Sequence, residues 1–343
     1  MSTSHRRSRR FGRGRTSCST RRWSACAQGS RYRSETDGLS GRYVFLARSH
    51  HGCLTLPGDT ATFDLPRAPT SRQERPMYLS IVTDEISSDP LTAVELATEW
   101  DIRHFELRNV GSGRLPDISD ADRRRLRSLA SRGDIALTAI SPGFFKDRLD
   151  SDTTRRQLSD ALPRAIELAR ELGVPKMVFF SGRKESDMPR SEGVRRVADL
   201  LAECAAKLAE VDIELLVENE HICWGDTGAN TVEILDAAGN SNMSLNWDPC
   251  NGLWAGGDPF PDEYERVKDR IANLHVKDTL RDHFGEFRGV PIGEGEVPWR
   301  EILPAMIRDG WRGPFCVETH YQPKVRGSRV CAENLKKLLI EAA

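Results

Sequence analysis

Between residues 218 and 318 the sequence holds three acidic side chains and one imidazole in matching local settings. They are Glu218 in IELLVENE (213–220), Asp248 in MSLNWDP (243–249), His275 in IANLHVKD (271–278) and Glu318 in PFCVETH (314–320). Each run reads as a strand, and a strand sends alternate side chains to opposite faces. Glu214, Leu216 and Glu218 therefore share one face, as do Ser244, Asn246 and Asp248, Asn273, His275 and Lys277, and Cys316, Glu318 and His320. The other face of each run is apolar enough to pack on helices. One ionisable group thus stands near the C-terminal end of every run, on the polar face. An O/O/N/O donor set of this kind suits a single divalent ion: Mn²⁺, Mg²⁺, Co²⁺ or Zn²⁺. Glu220 has the same parity as Glu218 and competes with it for that role; Glu218 is preferred because Glu220 lies past the expected strand end.

This set could move a proton on a carbon next to a carbonyl. Such a step needs a base on one face of the substrate, an acid on the other, and a cation to hold the enediolate charge. Glu218 and Glu318 would flank the ligand, and Lys277 would hydrogen-bond a substrate oxygen. His221 is expected to contact substrate or to sit exposed on its loop. Glu106 and Arg108 are expected to pair inside the barrel or to orient the ligand.

Parallel neighbouring strands in a closed barrel would bring these residues together, with helices outside and an open mouth at the strands' C-terminal ends. The rest of the chain from Met77 supplies the missing units. Strands are expected at YLSIVT (78–83), HFELR (104–108), IALTAIS (135–141) and KMVFFS (176–181). Helices are expected near 90–100, from an N-cap at Ser119 to about 132, and over 154–172 with a stop at Gly173. Further helices are expected over 193–210, near 230–238, in PFPDEYERVKDR, in WREILPAMIRDG and over 328–342, with a long loop at 279–297. Eight strand–helix units over 77–343 are what a (β/α)₈ TIM barrel requires. A doubly wound sheet would announce a Gly-rich first turn, which VTDEIS is not.

The chain has 343 residues and a formal net charge of −1. That balance conceals a division, because residues 1–76 hold 15 Arg, no Lys and 5 acidic residues, about +10, leaving about −11 for the remainder. The first 76 residues are Arg- and Ser-rich with one short apolar cluster, YVFLA, and are expected to be a disordered extension. A transit peptide, an export signal or a nucleic-acid-binding arm competes with the plainer expectation that Met77 is the native start and the extension no part of the native protein. No apolar run approaches the ~18 residues of a membrane span. The eight cysteines lack CxxC spacing and read as reduced thiols of a cytoplasmic protein.

Taken together, VENE, NWDP, LHVKD, PIGEG and VETH resemble the xylose-isomerase-like barrel superfamily, the sugar phosphate isomerase/epimerase group, over nearly all of 77–343. That resemblance implies a metal site at Glu218, Asp248, His275 and Glu318, with the two glutamates doubling as the acid/base pair. It implies a divalent-metal-dependent isomerase or epimerase of carbohydrate metabolism acting on a keto-sugar or cyclitol. The alternative is a lyase of the inosose or dehydroshikimate dehydratase type, which begins with the same proton abstraction. An apurinic endonuclease of the same superfamily is remote, since it needs a histidine-rich three-metal cluster. Here ISPGFF and FFSGR carry no histidine, Asn251 stands three past Asp248, and the barrel is acidic. The expected partner is a small polyol or keto-sugar, with no nucleic acid and no membrane; assembly into a homo-oligomer is left open.

Overall fold

The computed structural model describes residues 77–343 apart from residue 112. The expectations for residues 1–76 lie outside the described residues. Eight parallel strands close into a barrel in simple sequential order: β1 (Tyr78–Val82), β2 (His104–Leu107), β3 (Ala136–Phe144), β4 (Lys176–Phe179), β5 (Glu214–Glu218), β6 (Met243–Trp247), β7 (Ile271–Val276) and β8 (Pro314–Val317). A helical segment follows each strand and covers its outer face. They include α1 (Pro90–Glu99), α2 (Asp120–Ala130), α3 (Leu162–Leu172), α4 (Arg190–Ala209), α5 (Gly228–Ala238), α6 (Tyr264–Val267), α7 (Trp299–Arg308) and α8 (Lys324–Ala342).

Local chemistry explains the boundaries. The Ser119 hydroxyl accepts from the Asp122 amide at 3.1 Å, satisfying one of the free N–H groups at the start of α2. Gly173, at φ 65°, lets the chain turn left-handed where α3 stops. β3 runs three residues further than the expected IALTAIS, because a register shift against β4 absorbs the PGF segment into the strand.

Alternation along the strands divides the apolar residues into two layers. The large one lies between barrel and helices and includes Phe105, Leu215, Val217, Trp247, Leu274, Phe315 and Val317. The small one, Ala139, Val178 and Leu216, plugs the barrel interior. Above the plug the interior turns polar, and this is where the strand-end carboxylates stand.

Among the elements not anticipated, two bear on the site. The stretch 279–297 begins with an antiparallel hairpin, Asp278–Arg281 against Phe287–Val290. A short helix, Pro249–Trp254, starts directly after β6.

Candidate active site

Each of the four expected ligands arrives at the same place. Ligand atoms of Glu218, Asp248, His275 and Glu318 all lie within 4.8 Å of one another, and all four residues are buried. The His275 Nδ1 is 3.5 Å from a Glu218 oxygen and 3.4 Å from a Glu318 oxygen. Donors around one ion at metal–oxygen bonds of about 2.1 Å stand roughly 3 to 4 Å apart, so this spacing fits a single small divalent cation. The donors also fit: three hard carboxylates and one imidazole, with Lys277 on Asp248 and Glu318 and Arg108 on Glu318 as neighbouring cations.

Neighbouring side chains fix the cluster. Asp248 caps the helix Pro249–Trp254, its Oδ1 accepting from the Asn251 amide at 3.0 Å. The Asn219 side chain clamps the Asp248 backbone from β5, accepting from its N–H at 2.8 Å and donating to its carbonyl at 2.7 Å. Asn246 and Asn251 each donate to a Glu218 oxygen at 3.2 Å. Sequence reasoning did not assign these three asparagines a role, although each stands inside or beside the quoted motifs VENE and NWDP.

Lys277 reaches in from just past β7 with its Nζ 2.6 Å from Asp248 and 2.8 Å from Glu318. Burial opposes its charging, but these two carboxylates hold it well above the usual lysine range. Burial would raise Glu318, yet Lys277, His320 and His275 outweigh it and keep that carboxyl well below the usual range. Asp248 goes the other way. Burial pushes it up to about 6, Lys277 works against that, and Glu318 and Glu218 add to it. Glu318 is therefore the more firmly ionised of the lysine's two partners.

Arg108 does not pair with Glu106, contrary to the expectation of a bridge between them. β2 ends at Leu107, so Arg108 stands at the mouth, where it bonds Asp84 at 3.0 Å and also Glu85 and Glu318. Glu106 lies one turn of the pleat deeper and faces His275 instead, 3.2 Å from its Nε2. Glu220 is not brought into the cluster; it binds Lys146 at 2.6 Å and His221 at 2.7 Å. His221 lines the cavity above the cluster and is itself exposed.

That cavity measures about 330 Å³ and is walled by Trp254, Phe180, Arg114 and Lys146 among others. The Trp254 ring lies over the Lys277 ammonium, 5.2 Å from ring centre to Nζ, and packs on Phe287 of the unanticipated hairpin. The hairpin's first residue, Asp278, gathers the N–H groups of Gly293, Gly295 and Val297 at 2.8 to 3.1 Å. It organises the PIGEG segment. A Cβ at Gly295 would stand 2.1 Å from the Asp278 carboxylate, so this close approach requires glycine.

A closed sequential barrel with this strand-end cluster defines a class of TIM-barrel protein. The family model described as the xylose isomerase-like TIM barrel matches residues 94–339, and the chain belongs to that family. Escherichia coli K12 SgbU, whose name assigns it provisionally to the L-ribulose-5-phosphate 3-epimerases, is 29% identical over 185 residues, 49% of this chain and 59% of its own length. The chain thus spans less than two thirds of that relative. A fructoselysine 3-epimerase of Shigella flexneri is 22% identical over 236 residues, 66% of this chain and 84% of its own. Among solved structures, the IOLI protein with a bound zinc atom superposes with a TM-score of 0.64 at 19% identity, covering 78% of this chain and 97% of that one. Both of these relatives carry the names of sugar 3-epimerases.

Proposed function

We propose that this chain is a divalent-metal-dependent epimerase or isomerase of a keto-sugar or cyclitol, working by proton transfer at the carbon beside the carbonyl. The observation that carries this reading is that Glu218 and Glu318, from β5 and the end of β8, face one buried centre beneath a cavity able to hold a small polyol. When bound, a divalent cation held by Glu218, Asp248, His275 and Glu318 supplies positive charge where the enediolate's negative charge develops. Mn²⁺, Mg²⁺, Co²⁺ and Zn²⁺ all suit the donor set.

The two glutamates differ in their surroundings. Glu318 is contacted by Lys277 and Arg108 and is held ionised, able to accept a proton. Glu218 receives hydrogen bonds from the neutral amides of Asn246 and Asn251. They serve as the acid/base pair, one taking the proton from carbon and the other, once protonated, returning one on the opposite face. Lys277 and His221 orient substrate oxygens, Arg108 holds Glu318 in place, and Trp254 keeps bulk water from the carbanion. The five described cysteines are free and buried, in keeping with a reducing, cytoplasmic setting. Among the described residues no helix is long and apolar enough to cross a membrane.

The test is a panel of ketoses and inososes incubated with the Mn²⁺-loaded full chain in deuterated water. The expected result is deuterium at one carbon of one substrate with an inverted or relocated centre. Glu318→Gln and Glu218→Gln should each lower that exchange by about 10²- to 10⁴-fold. A product lighter by one water would show the lyase chemistry in place of epimerisation. Absence of exchange with every member of the panel would overturn the reading.

A further inference from the structure

Outside the four-residue cluster, Glu106 is a buried carboxylate that pairs with one of its members, His275. It is 1% exposed on β2, and its only ion-pair partner among the described residues is His275. Both oxygens lie 3.2 Å from the imidazole Nε2. The Ser141 hydroxyl donates to one oxygen, Asn273 donates to the other at 3.1 Å, and the Cys316 thiol lies 3.7 Å from that second oxygen. Four strands, β2, β3, β7 and β8, thus contribute to holding one carboxylate in one orientation.

The consequence concerns the other nitrogen of the ring. His275 Nδ1 faces Glu218 and Glu318 at 3.5 and 3.4 Å. A neutral ring that donates its Nε2–H to Glu106 keeps a lone pair on Nδ1, the nitrogen on the cluster side, where the Asn246 amide nitrogen also stands 3.3 Å away. We propose that Glu106 is a positioning residue that sets the tautomer and orientation of His275, and thereby the affinity of the four-residue cluster for a divalent ion. Ligating histidines are commonly oriented by a carboxylate on the far nitrogen, and losing that partner typically costs 10- to 100-fold in metal affinity. A role confined to packing would be met equally well by the isosteric amide. The inference rests on the metal-site reading above.

Zinc affinity of the full chain, wild type and Glu106→Gln, is measured by competition with a chromophoric chelator. Histidine ¹⁵N spectra are recorded on the zinc-loaded wild type. Glu106→Gln should bind zinc about 10- to 100-fold more weakly, and His275 should carry its proton on Nε2 with Nδ1 unprotonated. Equal affinity of variant and wild type, or a proton on Nδ1, overturns the inference while leaving the metal site standing. A wild type that binds no zinc overturns both. Should the variant fail to fold, the spectra of the wild type decide.

Discussion

Lys277 is the side chain on which the charge balance of the cluster turns. It is 2% exposed and touches two buried carboxylates. Removing one partner of a buried ion pair leaves the other uncompensated, at a cost of about 3 to 5 kcal/mol. Lys277→Met is therefore expected to lower the stability of the chelator-treated protein by about 3 kcal/mol, and Mn²⁺ should restore part of that loss by supplying charge to the same carboxylates. Urea unfolding in EDTA and in Mn²⁺ measures both quantities. A variant as stable as wild type in EDTA would show that Asp248 and Glu318 do not depend on the ammonium. At this scale the sequence was informative because strand parity alone puts Glu218, Asp248, His275 and Glu318 on one face, and the cluster contains all four. It was less informative for Arg108. The carboxylates Arg108 reaches, Asp84, Glu85 and Glu318, end β1 and β8, and contacts between strand ends 23 to 210 positions apart leave no local pattern.

At the scale of elements, the cluster depends on how strand ends are tied to the segments that follow them. Asp248 is both the last residue before a helix and a cluster member, and proline at 249 already marked a helix start that the sequence reading passed over. The hairpin 278–290 was hidden for a different reason. Its strands are four residues each, partly exposed, and interrupted by charged residues, so neither periodicity emerges over so short a run. Glu263 shows how α5 is anchored. Its buried carboxylate accepts from the Trp247 indole at 3.0 Å and sits against the N-terminal amides of α5. Burial raises its pKa above the usual value, against the lowering effect of those donors. A raised carboxyl pKa in the folded state means its stability contribution is full below the unfolded value, about 4.3, and is lost as pH rises through the folded value. Glu263→Gln stays neutral throughout. Its stability relative to wild type should accordingly improve between pH 4 and pH 7, as read from denaturant midpoints. A difference that is constant with pH, or that moves the other way, would contradict this account of Glu263.

For the molecule as a whole, the closed barrel separates stability from chemistry. The helix-facing layer and the interior plug are apolar, while the interior above the plug holds the cluster, its asparagine clamps and its compensating cations. A ligand that binds only the folded state stabilises it by RT ln(1 + [L]/Kd), about 2.7 kcal/mol at a hundredfold excess over Kd. Saturating Mn²⁺ should therefore raise the melting temperature of wild type and leave a His275→Ala variant close to its metal-free value. The most direct measurement is the metal content of the full chain after loading with Mn²⁺ and desalting, compared with His275→Ala and Asp248→Ala. One bound ion per wild-type chain and essentially none in either variant is the predicted result; no bound ion in wild type, or equal loading of the variants, would contradict it.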